Sequence, residues 1–264
     1  MTDTLLVERS GAVTTLRLND PQSMNALTPA MAQELHTQLK SEAATARAII
    51  LAGSERAFSA GANLNAAMPE DPAGFDVGRT LEEDYNPLME TIRDLPVPLI
   101  SAVRGAAAGV GASIALACDI IVAGKSAYFL EAFARIGLIP DGGATWLLTR
   151  AVGRVRAMEM MLLAEKIPAD QAHDWGLITR VVADDSVEYT AYEIANRLAH
   201  GPSQSYSLIR QAAWRAADSD FTTALATERA LQREAGLTAD FAEGLAAFQQ
   251  KRAPRFPPRK NPAS

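Results

Sequence analysis

The sequence predicts an α/β fold that ends in a helical appendage, and three observations predict it. Short apolar runs recur that are hydrophobic on both faces, as strands of a parallel sheet covered by helices must be. Stretches of helical periodicity lie between them. From about residue 186 onward only helical patterns follow, with no strand among them.

Taken in order, residues 5–7 and 13–18 read as a hairpin split by Ser10-Gly11. Residues 29–41 read as a helix, with Thr28 as its cap and Pro29 behind it. Residues 48–51, 99–103 and 120–122 are short, apolar on both faces and bounded by polar or turn residues, which predicts buried parallel strands. Residues 177–182 are expected to form another. Helices are predicted over 81–94, stopped by Pro96, and over 111–118, 144–151, 154–164 and 169–175, the last after Pro168. The order is strand, strand, helix, repeated with variation and without an exact sequence repeat. Four helical stretches close the chain, 186–200, 203–217, 221–235 and 239–250, with Gly201-Pro202 breaking the first two apart. Residues 1–200 are therefore expected to form the core and residues 201–264 a helical subdomain that packs over the core or against another subunit. Residues 252–264, rich in Pro, Arg and Lys, are expected to be loose.

The 264 residues suit one large domain with such an appendage, and a 48% hydrophobic content is enough for a sizeable core rather than disorder. Acidic residues outnumber basic ones, 31 to 25, for a net charge of −6, which argues against broad binding to nucleic acid or to anionic membranes. The first ten residues carry Asp3 and Glu8 and no long apolar run, so no signal peptide is expected, and no apolar stretch is long enough to span a membrane. The single cysteine, Cys118, excludes an intrachain disulfide and fits the reducing cytoplasm. His36, His173 and His200 are scattered without metal-ligand spacing, so no metal site is expected.

Three segments carry candidate chemistry. Residues 57–64 (Ala-Phe-Ser-Ala-Gly-Ala-Asn-Leu) follow a strand and are small almost throughout. They read either as a plain turn or as backbone that a ligand can approach closely enough to meet its N–H groups. Residues 105–111 (Gly-Ala-Ala-Ala-Gly-Val-Gly) lie between the strand 99–103 and a helix, where N–H donors point outward at a positive dipole end. They match a dinucleotide fingerprint weakly, because Ile114 stands where its third glycine belongs. An anion site, an oxyanion site and close strand–helix packing all fit. The third segment, Gly137-Leu138-Ile139-Pro140-Asp141-Gly142-Gly143, sets one carboxylate on a glycine-rich turn before a helix. Asp141 there could face solvent, cap the helix or move protons. Ser113 lacks the setting of a nucleophile elbow, because Ala115 occupies the place of its final glycine. Glu131 precedes the third segment and reads as a structural or surface acid within reach of a pocket.

Together these segments resemble the crotonase, or enoyl-CoA hydratase/isomerase, superfamily. The match runs from Pro21-Gln22-Ser23-Met24-Asn25 to about Lys251, with several spaced motifs in the right order. The resemblance implies a spiral of ββα units with C-terminal helices, assembled as a homotrimer or a dimer of trimers. It implies a coenzyme A thioester as substrate, with no permanently bound cofactor. The thioester oxygen would sit in an oxyanion hole made by the N–H groups of Ala62 and Val110. Backbone around Ala60 and Leu64 would meet the adenine, and Phe248 and Lys251 would touch coenzyme A, often from a neighbouring subunit.

The departures from the family pattern are equally informative. The two glutamates with which hydratases handle water fall on Ser113 and Phe133, neither of which can transfer a proton, so both are expected in the acyl pocket. Asp141 matches the acidic position of the 1,2-epoxyphenylacetyl-CoA isomerase branch, and an aspartate also stands there in a dehalogenase branch. The resemblance therefore favours an isomerase that shifts a double bond, or opens a ring epoxide, with Asp141 as base and then acid. A 2-enoyl-CoA hydratase with a rearranged site that uses Glu131 or Asp141, and a non-catalytic acyl-CoA-binding protein, are the alternatives.

Overall fold

The computed structural model describes residues 4–64 and 75–257. Its ten strands are β1 (Leu5–Ser10), β2 (Val13–Leu18), β3 (Ala48–Ala52), β4 (Ala57–Ser59), β5 (Leu99–Val103), β6 (Ala106–Ala108), β7 (Ile120–Gly124), β8 (Tyr128–Leu130), β9 (Ile167–Pro168) and β10 (Arg180–Val182). They divide into two sheets. The larger runs β1-β2-β3-β5-β7-β10 and the smaller β4-β6-β8-β9. The expected hairpin is present, pairing Leu5 with Leu18 and Ser10 with Val13. All other pairings of the large sheet are parallel.

Alternation along the strands explains why the middle of this sheet reads as continuously apolar. Ile49 and Leu51 of β3, with Leu99 and Val103 of β5, face the main core. Ala48, Ile50 and Ala52, with Ile100 and Ala102, face the opposite side. That second face is covered by the helix Val187–Ala199, which lays down Val187, Ala191, Ala195 and Ala199 at a spacing of four residues. Three alanines on the stripe let the helix settle close to the sheet. This helix is the first of the four C-terminal stretches, and it serves as an outer layer of the core.

The chain repeats one path three times. It leaves the large sheet, adds a strand to the small sheet, and returns through helical structure. The three passes are β3, β4 and helical residues 77–94; β5, β6 and the helix Val110–Leu116; and β7, β8 and a longer return that starts with the short 3-10 helix Ala132–Ile136 and adds β9 to the small sheet before β10. This is the expected ββα spiral. The helix Pro29–Glu42 precedes it, capped by Thr28 Oγ1, which accepts from Met31 N–H at 3.1 Å, and it buries Met31, Ala32, Leu35 and Leu39.

Three expectations need correction. Residues 57–59 and 106–108, read as turn or loop, are strands of the small sheet. The strand expected over 177–182 is confined to Arg180–Val182, because Leu177 N–H instead donates to Ala172 O and closes the preceding helix. The helix expected over 81–94 starts earlier, at Val77–Thr80, and passes through a π-helical turn at Leu81–Tyr85 before Asn86–Asp94. Residues 66–85, with Pro69, Pro72 and Gly74, read in the sequence as an irregular segment that shapes the acyl pocket, and as far as residue 74 they lie outside the described residues.

The tail helices Ser203–Ala216, Phe221–Ala235 and Ala239–Gln249 are pinned to the core by Arg210. Its guanidinium is buried, meets Asp119 Oδ2 at 2.7 Å, donates to Ile92 O at 2.8 Å and also bonds Leu95 O. Among the described residues no helix is long and apolar enough to cross a membrane.

Candidate active site

Gly61 and Gly109 bring the small-residue segment and the start of the helix Val110–Leu116 together. Gly61 has φ +96°, and a Cβ on it would lie 2.8 Å from Ala108 O and 3.6 Å from Gly109 Cα. Gly109 has φ +50°, and its missing Cβ would meet the ring of Phe133 at 3.5 Å. The backbone therefore passes where a side chain would stand.

Local hydrogen bonding leaves the next N–H groups free to point away. Ala62 forms an isolated parallel bridge with Leu27. That bridge uses Gly61 O, which accepts from Leu27 N–H at 2.7 Å, and Asn63 N–H, which donates to Leu27 O at 2.8 Å. In this pattern the N–H of the central residue, Ala62, faces the other side. Val110 opens a helix, so its N–H has no carbonyl one turn back to accept it. Both residues line the same cavity, of about 240 Å³.

Asp141 lines this cavity as well. Its main-chain carbonyl accepts from Ser113 Oγ at 2.9 Å and from Ala144 N–H at 3.0 Å, which fixes the turn. Its carboxylate does not cap the following helix. The cap residue of Ala144–Ala151 is Gly143, with no side-chain hydrogen bond, and Asp141 Oδ1 is buried without a partner. Burial pushes the Asp141 carboxyl up to about 6. A carboxylate so placed is a stronger base than one in water and changes protonation state near neutrality.

The remaining walls are mostly apolar, with Thr80, Tyr85 and Arg135 as the polar members. Leu64, Leu81, Ile136 and Leu138 contribute, together with Phe133, which is buried. Tyr85 lies against the cavity with its hydroxyl donating to Leu27 O at 2.9 Å. Burial, then the charges of Asp141 and Asp84, push the Tyr85 phenol well above its ordinary range, so it stays protonated.

Of the residues singled out in the sequence, Ala60, Ala62, Leu64, Val110, Phe133 and Asp141 converge on this one cavity. Ser113 does not line it. The expectation that Ser113 forms pocket wall is corrected to a supporting position, wholly buried beneath Asp141 and bonded to its carbonyl. Phe248 and Lys251 lie on the tail and are not brought to the cavity within one chain. Phe248 is 82% exposed and borders a separate depression with Leu231 and Phe256. One candidate was not singled out in the sequence: Tyr85 gave a signal only as the i+4 partner of Leu81. Glu131, read as a structural or surface acid within reach of a pocket, is fully buried with neither carboxyl oxygen partnered. Burial, and then the charge of Asp141, push it up to about 8.

A spiral of ββα units over two sheets, closed by C-terminal helices, is the crotonase architecture. The chain belongs to the enoyl-CoA hydratase/isomerase family, whose model matches residues 8–259. It is 44% identical over 253 residues to a probable enoyl-CoA hydratase of Rhodobacter capsulatus, covering 96% of this chain and 97% of that protein. It is 43% identical over 260 residues to the 1,2-epoxyphenylacetyl-CoA isomerase of Escherichia coli, covering 97% and 99%. The crystal structure of a putative enoyl-CoA hydratase/isomerase from Mycobacterium abscessus superposes with a TM-score of 0.90 at 33% identity, covering 97% of this chain and all of that one.

Proposed function

We propose that the protein is an acyl-CoA isomerase that relocates a double bond through a thioester enolate. The observation that carries this reading is that, among the described residues, Asp141 alone supplies a carboxylate to the wall of a cavity otherwise lined by apolar groups, Thr80, Tyr85 and Arg135. The thioester oxygen is held between the N–H groups of Ala62 and Val110, and coenzyme A extends past Ala60 and Leu64. Phe248 and Lys251 reach the ligand from a neighbouring copy in a homotrimer or dimer of trimers. Phe133 and the π-helical turn at Leu81–Tyr85 shape the acyl end.

The chemistry follows from what each group can hold. Ionised Asp141 removes a proton from the carbon alpha to the thioester of a 3-enoyl chain. The electron pair moves onto the thioester oxygen, where two preorganised donors meet the new charge. Each such donor typically stabilises the transition state by about 2.7–4 kcal/mol. The protonated Asp141 then delivers the same proton to the gamma carbon, and the enolate collapses to the 2-enoyl thioester. One carboxyl suffices because it is base and acid in turn, and no water is consumed.

The test is a thioester panel with wild type and Asp141→Asn, scored for isomerisation, hydration and dehalogenation. Loss of 3-enoyl-CoA isomerisation in the variant, with retained ligand binding, supports the reading. Full isomerase activity in Asp141→Asn overturns it. Hydration of 2-enoyl-CoA is the second reading, favoured by the resemblance to the Rhodobacter capsulatus protein. It predicts rapid turnover of crotonyl-CoA, near the typical enzyme kcat of about 10 s⁻¹.

A further inference from the structure

Among the described residues two carboxyl groups hold buried oxygens that lack a hydrogen-bond partner. They are Glu131, at both oxygens, and Asp141, at Oδ1. Buried polar atoms are almost always paired, and an isolated ionised carboxylate in an apolar interior is costly. Two such groups at one place call for a common explanation.

The two acids are anchored to the same turn of backbone. Gly109 N–H donates to Leu130 O at 2.8 Å, which fixes the end of β8 where Glu131 begins. Ser113 joins the two, its N–H donating to Gly109 O at 3.1 Å and its Oγ to Asp141 O at 2.9 Å and to Gly109 O at 3.4 Å. The other polar groups nearby are committed elsewhere. Arg135, on the 3-10 helix after Glu131, bonds Ala164 O, and the Tyr85 hydroxyl bonds Leu27 O. Asp141 carries the charge that acts on Glu131. Glu131 is not in the cavity wall, so it does not touch the acyl group.

A protonated carboxyl is a donor, and the orphaned Asp141 Oδ1 is an acceptor. One proton held between them satisfies both and removes one of two like charges. We propose that Glu131 and Asp141 form a pair sharing a single proton. Glu131 keeps it and presents its O–H to Asp141 Oδ1, directly or across one water, which leaves the other Asp141 oxygen to work in the cavity. Glu131 is thus a positioning residue, and its effect on turnover rests on the reading of Asp141 as the base. Burial, which holds the Glu131 carboxyl up to about 8, keeps the pair in this state at neutral pH.

Two measurements test the pair. In the first, infrared difference spectra of wild type against Glu131→Gln report the C=O band of a protonated carboxyl, independently of any activity. The band is expected at pH 7 in wild type, absent from Glu131→Gln, and retained in Asp141→Asn but lost there at lower pH, because the neighbouring charge is gone. No Glu131-dependent band at pH 7, or one with the same midpoint in Asp141→Asn, overturns the proposal. In the second, kcat/KM for 3-enoyl-CoA is followed against pH. Wild type is expected to lose activity at alkaline pH as Glu131 ionises. Glu131→Gln, which still donates but cannot ionise, is expected to stay within about threefold of wild type at pH 7 and lose that alkaline limb, whereas Glu131→Leu falls by about tenfold or more at every pH. An unchanged alkaline limb in Glu131→Gln, or wild-type rates in Glu131→Leu, counts against it. The infrared band present in a protein that isomerises no thioester would instead remove the function and leave the pair standing.

Discussion

The Tyr85 hydroxyl donates to the Leu27 carbonyl across 2.9 Å, and Leu27 is the residue that bridges to Ala62. The acyl side of the cavity is thereby tied to the main chain beside one of the two N–H donors. Tyr85→Phe removes this bond while Leu27 O keeps its second donor, Asn63 N–H. The expected cost is about 1 kcal/mol of stability, read by urea unfolding. Turnover is expected to fall several-fold with KM little changed, since under the proposed mechanism the bond positions a transition-state donor rather than the ligand.

Asp141→Asn preserves shape and removes the proton acceptor. Isomerisation is expected to fall by about 10²–10⁴-fold, with binding of a non-reactive acyl-CoA analogue by calorimetry nearly unchanged. In wild type, burial raises the Asp141 carboxyl to about 6, so kcat/KM should rise with pH through that value as the base ionises. A rising limb near pH 4 instead would mean that Asp141 is not the base.

Gly61→Ala and Gly109→Ala both force an L side chain into positive φ, but only the first drives a Cβ to 2.8 Å from a backbone oxygen. Gly61→Ala is expected to lose more activity and more stability than Gly109→Ala. Thermal unfolding with parallel activity assays checks the order.

The pH dependence of stability has a definite sign. The folded-state value of Glu131, about 8, lies above its ordinary 4.5, so the native state retains a proton that the unfolded chain releases. The stability contributed by this group is fully present below pH 4.5 and declines as pH rises toward 8. The loss is on the order of a few kcal/mol. Glu131→Gln should flatten this slope, so that the variant is more stable relative to wild type at pH 8.5 than at pH 5, measured by denaturant midpoints at each pH.

Arg210→Ala should loosen the attachment of the tail. It leaves Asp119 without its guanidinium and the carbonyls of Ile92 and Leu95 without their donor. Breaking such a buried pair costs about 3 kcal/mol. The expected readout is a lowered urea midpoint.

Much of this architecture was legible in the chain because its elements obey local rules. The three central strands are long enough, and apolar enough on both faces, to be recognised without context. Thr28-Pro29 announces a helix start by cap chemistry alone. The small sheet was hidden because β6 is three alanines, poor strand formers, and β4 is only Ala-Phe-Ser, too short to give a periodic signal. Leu177 and Ile178 looked like strand but are buried as the end of a helical turn. In the site, Asp141 was legible because glycines and a proline frame it. Glu131 is legible as an acid within reach of a pocket, but its full burial is not, since burial of a single acid after Phe129 and Leu130 depends on what packs over it. Ser113 was misread for the same reason, since its partner Asp141 is 28 residues away.

The donors proposed to hold the thioester oxygen belong to the main chain, and this changes how the site would look in a mutational scan. Position 62 would accept other small side chains and position 110, wholly buried, other apolar ones of similar size, while both would fail with proline, which removes the N–H. The neighbouring Gly61 and Gly109, which contribute no functional atom, would reject nearly everything. Importance inferred from side-chain tolerance would therefore be displaced by one residue at each arm of the site. Replacing the amide at 62 or 110 with an ester would locate it directly.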